Sequence, residues 1–445
     1  MVTAESRRHI QRRDKLKRAS RKVVAARAGA ATTVEDVSDH ILEVILVRLD
    51  SPVCLVRAAA ACTRWRRVIA DAGFLRSFRL LHGGTRRVAG HYHTVDPSFG
   101  PPSAGVAVGN VFVPSPPHNG IDGRFFSLDF LPDYDESWEL ADSRGSLLLL
   151  SKKRKPIGWW EAAAPRRFFP DLIVCEPLTR RYQGIVSPVY LRRHQCLGVF
   201  LLDGDGDETG GRIVMSNFRV ICALHDHEWQ HELAVPMACV FTSGSNGGWR
   251  VVQSTAAVDL PERFDSISFA GHANGRLYWG IEDEDGGAML VLDQSTHEFS
   301  LAMFPGTVGA SYDKWTFRVI AGDDGALRVV RVISNDLKVF AQLAGSGEWV
   351  LEKLVNLPEA TRGLPGRKET FFLQGAEIVA ASAAYVLVTP KEKRWLFSVE
   401  LETLQVERSH ERNRYAGAAY SYELPWPPAL QACSTSHSTG RRRRR

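Results

Sequence analysis

The chain has 445 residues, of which 44% are hydrophobic and 24% charged, ordinary values that exclude a chain disordered throughout. This length exceeds one ordinary compact core, so we expect a small domain beside a large one, or two or three domains. The net charge of +6 is concentrated at the ends, because residues 1–30 contribute +8 and Arg441 to Arg445 contribute +5. The remaining −7 on residues 31–440 gives no electrostatic reason to expect nucleic-acid binding outside the two basic tails.

The cysteines and the apolar runs of the sequence indicate the cellular compartment in which the protein is expected. Seven cysteines are scattered along the chain without a CxxC pair, and most lie in apolar runs. No apolar run approaches the roughly 20 residues that a membrane span requires. The N-terminal residues also lack the apolar segment of a secretory signal. We therefore expect reduced thiols, no membrane partner and a nuclear or cytoplasmic location.

The first 33 residues read as a basic tail. Residues 7–27 are rich in Arg, Lys, Ser and Ala, which is compatible with a solvated tail, a nuclear-localisation or nucleic-acid patch, or an organelle transit peptide. These three interpretations stay open. A second basic tail is predicted over residues 434–445.

Residues 34–82 predict a small unit of three to four helices. The first helix presents apolar residues at the spacing of one helical face, namely Ile41, Leu42, Ile45, Leu46 and Leu49. Ser38 or Asp39 can cap its start, and Pro52 can open a second helix. A third helix around residues 63–70 is expected to turn Trp65, Val68 and Ile69 inward, and a fourth begins at Phe74.

Residues 83–120 read as a linker, and residues 121–433 as a large all-β domain. Short apolar runs recur there between turn signals. A loose repeat of a Gly-containing turn and a hydrophobic strand occurs at Asn274-Gly275, Asp324-Gly325 and Arg144-Gly145. The first two copies lie about 50 residues apart, a period typical of the four-stranded blades of a β-propeller. A pair of β-sheets packed as a sandwich is the open alternative.

Three segments carry possible chemistry. Residues 227–231 match the zinc-binding pattern H-E-x-x-H, in which His227 and His231 would bind zinc and Glu228 would activate a water molecule. The pattern needs a stable helix, yet it lies between two β-type runs, so we predict a polar loop. Residues 203–208 imitate the start of a calcium loop but lack the required glycine and final glutamate. Trp159 and Trp160 could serve protein recognition or belong to the core.

The helical segment resembles the F-box. The resemblance rests on Val37-Ser38-Asp39-His40-Ile41-Leu42-Glu43-Val44-Ile45-Leu46-Val47-Arg48-Leu49, on Leu55-Val56-Arg57-Ala58 and on Cys62-Thr63-Arg64-Trp65-Arg66-Arg67-Val68-Ile69. Ser38 stands where the family usually has proline, and Val44 stands where it often has glutamate. The remainder is similar to the domain that accompanies the F-box in many plant, especially grass, proteins. That similarity rests on residues 74–82, 274–280 and 290–293 and on the closing run 424–433.

The resemblance implies a non-catalytic substrate adaptor of a cullin-type (SCF) ubiquitin ligase, without cofactor or metal. It implies a Skp-type adaptor, and through it cullin, as partners, and an unknown target protein bound by the β domain. The expected adaptor-binding residues are Val37, Ile41, Leu42, Ile45, Leu46, Leu49, Leu55 and Val56. The expected core of the F-box comprises Cys62, Trp65, Val68 and Ile69. A scaffold that assembles no ligase and a zinc peptidase at residues 227–231 are the alternatives.

Overall fold

The computed structural model describes most of the chain from Val37 to Leu424. The described residues are 37–49, 52–82, 88–95, 109–114, 123–133, 138–152, 169–192, 194–202, 213–226, 235–244, 248–253, 258, 260, 266–282, 287–309, 312–322, 324–392, 395–410 and 415–424. Contacts divide the chain into two compact units, Met1–Thr85 and Arg86–Arg445. We call them the helical unit and the β unit and describe each by itself. Within the described ranges, no helix combines the length and apolar character needed to cross a membrane.

Residues 37–49 and 52–82 of the helical unit, the part that the structure describes, form four helices. They are α1 (Asp39–Leu46), α2 (Pro52–Ala61), α3 (Thr63–Ile69) and α4 (Ala72–His82). Helix α3 contacts each of the other three and therefore forms the centre of the unit. Large and small apolar side chains fill the space between the helices: Leu42, Leu46, Leu55, Ala58, Ala59, Ile69, Phe74 and Phe78 are all buried.

In the β unit, the described residues with regular secondary structure lie almost entirely in strands. They are β1 (Val88–Val95), β2 (Asn110–Pro114), β3 (Trp138–Arg144), β4 (Leu147–Lys152), β5 (Leu172–Glu176), β6 (Arg181–Ile185), β7 (Gln195–Leu202), β8 (Arg219–Asp226), β9 (Val235–Thr242), β10 (Gly248–Gln253), β11 (Ile267–Ala273), β12 (Arg276–Ile281), β13 (Ala288–Asp293), β14 (Phe299–Met303), β15 (Phe317–Ala321), β16 (Leu327–Ile333), β17 (Asp336–Gln342), β18 (Trp349–Asn356), β19 (Ala376–Ala381), β20 (Tyr385–Pro390), β21 (Leu396–Glu400), β22 (Val406–His410) and β23 (Tyr415–Glu423). Short helices α5 (Gly306–Gly309) and α6 (Leu357–Ala360) and 3₁₀ turns at Gly123–Phe126, Pro177–Thr179 and Val189–Leu191 interrupt them.

The strands form antiparallel sheets in chain order. Sheets 1 to 5 each take four consecutive strands, β3–β6, β7–β10, β11–β14, β15–β18 and β19–β22. Sheets 3 and 4 are joined by a parallel pairing of Gly271 with Val319. Sheet 6 has the order β2-β1-β23 and thus unites strands from the two ends of the β unit.

The six sheets close into a ring. In sheets 1 to 5 the first strand contacts the first strand of the next sheet, from β3 through β7, β11 and β15 to β19. The ring is completed by β23, the edge strand of sheet 6, which contacts both β19 and β3. Sheets arranged radially in this way are β-propeller-like, and a sandwich of two packed sheets does not have this closed order. Because four antiparallel strands return the chain to the end where it started, the connections between successive sheets lie at one end of the ring. We call it the connection end.

The loose repeat of the sequence corresponds to one position in the sheets. Gly145, Gly275 and Gly325 lie in the turns between the first and second strands of sheets 1, 3 and 4. All three have positive φ angles, of 58°, 72° and 76°. A residue without a Cβ atom adopts this conformation readily, which explains the recurring glycine. The propeller-like interpretation of the repeat is confirmed.

Apolar clusters fill five of the contacts between neighbouring sheets. They lie between sheets 1 and 2, 2 and 3, 3 and 4, 4 and 5, and 6 and 1. Trp279, fully buried between sheets 2 and 3, is the largest of these side chains. Burial of this apolar surface is the main term that holds the sheets together.

Polar bonds cross from sheet to sheet as well. Arg144 Nη1 donates to Leu201 O over 3.2 Å, Trp279 Nε1 to Leu197 O over 3.1 Å, Arg318 Nη2 to Ile378 O over 2.8 Å and Tyr420 OH to Leu140 O over 2.9 Å. Each bond joins a side chain of one sheet to a backbone carbonyl of a neighbouring sheet. The sheets are therefore fixed in register as well as packed.

Asp142 gives one of these contacts a pH dependence. Its Oδ2 accepts a hydrogen bond of 2.7 Å from the backbone N–H of Leu201, so this carboxylate of sheet 1 bonds to sheet 2. Burial raises the pKa of Asp142 to about 6. Hydrogen bonds from the backbones of Leu201 and Ser143 and the charge of Arg144 lower the pKa, but by less. Although the residue keeps some accessible surface, protein atoms surround its carboxylate, so the loss of hydration outweighs these bonds.

We expect the stability of the wild type to fall relative to that of Asp142→Asn as the pH rises from about 4 to 6. Within that window the folded protein keeps the proton that the unfolded chain, with an ordinary pKa of 3.8, releases. The full effect amounts to at most about 3 kcal/mol. Denaturant unfolding of both proteins at several pH values measures it. A difference between the two proteins that stays constant with pH would contradict the prediction.

The predicted linker is partly wrong. Residues 83–120 contain β1 and β2, which pair with each other and, through β1, with β23. The sequence did not predict β2, because it lies within residues 97–117, which are rich in Pro, Gly and Ser. Strand β1 is also completed by a partner more than 300 residues away, which no local pattern reveals. Both predicted tails lie outside the described residues.

Candidate functional site

Helix α1 begins at a defined cap. The side chain of Ser38, a residue with an extended backbone, accepts a hydrogen bond of 3.4 Å from the N–H of Ile41. Asp39 follows in the first turn, where a negative charge interacts favourably with the helix dipole. The predicted start of the helix is confirmed, and Ser38 fulfils the capping role that its position suggests.

The two faces of α1 differ in exposure. Ile41 and Ile45 are each 53% exposed and Val44 is 39% exposed, whereas Leu42 and Leu46 are only 2% exposed. Residues three and four apart share a helix face, so Ile41, Val44 and Ile45 form one continuous apolar patch. We call this patch the α1 face.

Polar contacts hold α1 at both ends. At its start, the Asp39 carboxylate accepts from Arg64 over 2.8 Å and from Arg67 over 3.2 Å, and Arg64 also donates to Val37 O. The hydrogen bond from Arg64 lowers the pKa of Asp39. Past its last turn, the Nε2 atom of His82 in α4 lies 2.8 Å from Val47 O. The helix is therefore positioned before any partner arrives, which reduces the entropy cost of binding.

The structure corrects the predicted adaptor-binding set for three residues. Leu42, Leu46 and Leu55 are buried within the chain and are not available to a partner. The sequence spacing identified one helical face, but helix α1 divides its apolar residues between the core and the surface. Val37 and Leu49 are half-buried, and the side chain of Val56 lies outside the described residues.

The predicted F-box core is also revised at one position. Ile69 is fully buried and Trp65 and Val68 are half-buried, in agreement with an inward orientation. Cys62 is exposed. It precedes α3 with an extended backbone, and its Sγ accepts a hydrogen bond of 3.4 Å from the N–H of Trp65. Cys62 is thus a helix cap rather than a core residue.

The β unit exposes an apolar loop at the connection end. Between β6 and β7, Val186, Val189 and Tyr190 are 70%, 77% and 63% exposed, while Leu191 beside them is buried. Sequence reasoning missed this loop, although apolar residues on both sides of Pro188, between two strands, could have indicated it. The sequence alone assigned no target-binding residues.

Bonds to the neighbouring strands fix the backbone of this loop. Asp171 Oδ1 accepts from both the N–H and the hydroxyl of Ser187 over 2.9 Å, and Arg192 Nε donates to the same hydroxyl over 3.1 Å. Trp249 Nε1 donates to Val186 O over 3.0 Å. Exposed apolar side chains on a fixed backbone are typical of protein-binding surfaces.

The remaining candidate segments lie outside the described residues. These are the H-E-x-x-H segment at 227–231, the acidic turn at 203–208, and Trp159 and Trp160. Strand β8 ends at Asp226 and β9 begins at Val235, so the β-type runs predicted on both sides of the H-E-x-x-H segment are confirmed. In the part of the chain that the structure describes, no three His, Cys, Asp or Glu side chains could hold a metal ion together.

Buried cysteines occur where the sequence placed them. Cys175 and Cys222 are fully buried, and burial raises the pKa of both thiols well above the ordinary range. Cys239 lies directly opposite Cys222 in the pairing of β8 with β9, and burial raises its pKa to about 12. Protonated, buried thiols are poor nucleophiles, which fits the interpretation of these residues as small hydrophobes.

Comparison with known proteins gives no family. No family model matches the chain, and no curated protein matches it. Among solved structures, a protein from Lactobacillus plantarum is similar over 74% of this chain and 83% of its own, with 10% identity and a TM-score of 0.36. YCF48 bound to D1 peptide is similar over 64% and 70%, with 8% identity and a TM-score of 0.32. The Aleuria aurantia lectin is similar over 62% and 77%, with 12% identity and a TM-score of 0.31. Similarities at these scores carry no argument about function.

Proposed function

We propose that the chain is the substrate-recruiting F-box subunit of a cullin-type ubiquitin ligase. In this proposal the α1 face binds a Skp-type adaptor, and the β unit, as a six-sheet β-propeller, binds the target protein. The observation that carries the proposal is an exposed apolar patch on a helix that is fixed at both ends. The F-box resemblance of the sequence over residues 37–69 supports it.

The α1 face suits a groove on another protein. Ile41, Val44 and Ile45 lie at positions i, i+3 and i+4, the spacing with which amphipathic helices enter apolar grooves. These side chains are 39 to 53% exposed without a partner, so burying the exposed part of each in an interface is favourable by about 1 kcal/mol. The loop of Val186, Val189 and Tyr190 supports the second half of the proposal, because it offers a fixed apolar surface for a target protein.

Catalysis would be supplied by the partner enzymes. Holding a target lysine near a ubiquitin-loaded conjugating enzyme replaces a bimolecular encounter with a nearly intramolecular one. The chain itself then needs no nucleophile, cofactor or metal. It needs two surfaces, one for the adaptor and one for the target.

We expect Ile41→Asp/Ile45→Asp to reduce binding of the purified full chain to a Skp-type adaptor at least 100-fold, measured by co-purification and titration. Two carboxylates on the α1 face would have to be desolvated in an apolar groove. The variant should retain wild-type circular dichroism, because both positions are exposed. Substituting Leu46 instead would be uninformative, since a charge there disrupts the core of the helical unit.

The matched control is Leu301→Asp/Met303→Asp. It adds the same charge at two exposed apolar positions of the β unit and should bind the adaptor like the wild type. Equal adaptor binding by the Ile41→Asp/Ile45→Asp variant, or no binding by the wild type, would refute the ligase proposal. The latter result would favour a scaffold that assembles no ligase.

A further inference from the structure

The contact between sheets 5 and 6 differs from the other five. Apolar clusters fill the other five contacts between sheets. The contact between sheets 5 and 6 instead buries the imidazoles of His91 and His93, which are 7% and 1% exposed. In sheet 5, Tyr385 of β20 meets His91, and Leu387 and Thr389 lie on the same side of that strand. This is also the contact at which the ring closes, because sheet 6 combines β1 and β2 with β23.

The register places both imidazoles on the side of sheet 6 that faces sheet 5. His91 and His93 are two residues apart in β1 and therefore point to the same face. Tyr92, between them, points to the opposite face and belongs to the cluster shared with sheet 1. Nε2 of His91 is hydrogen-bonded to the hydroxyl of Tyr385 in β20, and the rings of His91 and His93 have centroids 6.2 Å apart.

Among the residues that the structure describes, other ionisable groups lie on the strands packed around this pair. Burial holds the pKa of Tyr385 well above its ordinary value, so its phenol stays neutral, and Glu423 at the end of β23 acts on it in the same direction. Strand β2 carries no ionisable side chain. In β23, Tyr420 and Tyr422 face sheet 1. Glu377 of β19 acts on Arg318, in sheet 4.

We propose that this contact is an acid-sensitive closure of the ring, at which protonation of His91 and His93 loosens sheet 6 from sheet 5. A neutral imidazole tolerates burial, whereas an imidazolium carries a charge into a poorly solvated site. Two imidazoliums with ring centroids 6.2 Å apart would also repel each other. The loosening is expected at this contact, where two imidazoles lie together, and not in sheet 4, whose strands contain no histidine.

Hydrogen exchange of the full chain at pH 7.5 and pH 5.5 tests this proposal. Exchange rates of each peptide are compared with the rates of the unstructured peptide at the same pH. We expect peptides from β1 and β20 to lose protection at least tenfold at pH 5.5. Peptides from β16 and β17, in sheet 4, contain no histidine and should change less than twofold.

The His91→Gln/His93→Gln variant should keep its protection in β1 and β20 at pH 5.5, because a glutamine side chain forms hydrogen bonds but is not protonated in this pH range. His40→Gln, an exposed position in the helical unit, is the control and should respond like the wild type. If the double variant does not fold, each single variant should show a reduced loss of protection. The proposal is wrong if β1 in the wild type is unaffected by pH, or if the folded glutamine variants lose protection as the wild type does.

Discussion

Replacing Gly271 by alanine is expected to destabilise the β unit by about 4 kcal/mol, from steric overlap and an unfavourable backbone conformation together. Gly271 pairs with Val319 where sheets 3 and 4 meet, and a Cβ atom at this position would lie 2.0 Å from the carbonyl oxygen of Val319. Its φ angle of 144° is one that residues with side chains rarely adopt. The obstacle is backbone on both sides, so it cannot be relieved by a rotamer change. Denaturant unfolding followed by tryptophan fluorescence measures the loss.

Gly275→Ala is the matched control for this substitution. Gly275 lies in the turn that follows the same strand and also has a positive φ angle, of 72°, but a Cβ atom added there would have no neighbour within 4 Å. We expect a cost of about 1 kcal/mol, from backbone conformation alone. Equal costs at Gly271 and Gly275 would show that the close approach of sheets 3 and 4 is unimportant for stability.

Trp279→Ala should destabilise the β unit by about 3 to 5 kcal/mol, the range for removing a buried aromatic side chain. The indole is fully buried between sheets 2 and 3 and contacts Phe200 and Phe269 edge to face, with ring centroids 5.7 and 5.8 Å away. Its removal leaves a cavity and also deprives Leu197 O of the donor Nε1. The midpoint of urea unfolding, followed by circular dichroism, measures the effect.

Trp279→Phe separates the two contributions. Phenylalanine retains much of the apolar volume but cannot donate to Leu197 O, so we expect a smaller loss of about 1 to 3 kcal/mol, mostly from the lost donor. A phenylalanine variant as unstable as the alanine variant would mean that the hydrogen bond, rather than the packing, dominates this contact.

Local patterns in the sequence predicted the repeating part of the fold well. The sequence repeats a glycine turn, such as Asn274-Gly275, followed by an apolar strand. This pattern recurs because the sheets share the same strand order and pack against their neighbours in the same way. Sheet 6 has no such signal, since β1 and β23 lie at opposite ends of the β unit and pair only after the ring closes. Periodicity describes neighbours along the chain and does not describe this long-range pairing.

The sequence correctly predicted the amphipathic helix α1, but not which of its apolar residues are buried and which are exposed. The spacing from Ile41 to Leu49 correctly indicated an amphipathic helix, yet Leu42 and Leu46 belong to the core while Ile41 and Ile45 are exposed. Assigning the faces requires the position of α3, which the sequence of α1 does not contain. The exposed loop at Val186 was missed for a related reason, because apolar residues beside strands usually indicate core.

The pairing of β1 with β23 also determines when the β unit can complete its folding during synthesis. The ribosome delivers β1 early and β23 last, so sheets 1 to 5 can form in succession while β1 and β2 wait for their partner. Until β23 has left the exit tunnel, the first strands of the β unit present open edges to other chains. A nascent chain stalled before β23 should therefore be a preferred client of chaperones, and release of the last strand should end that dependence.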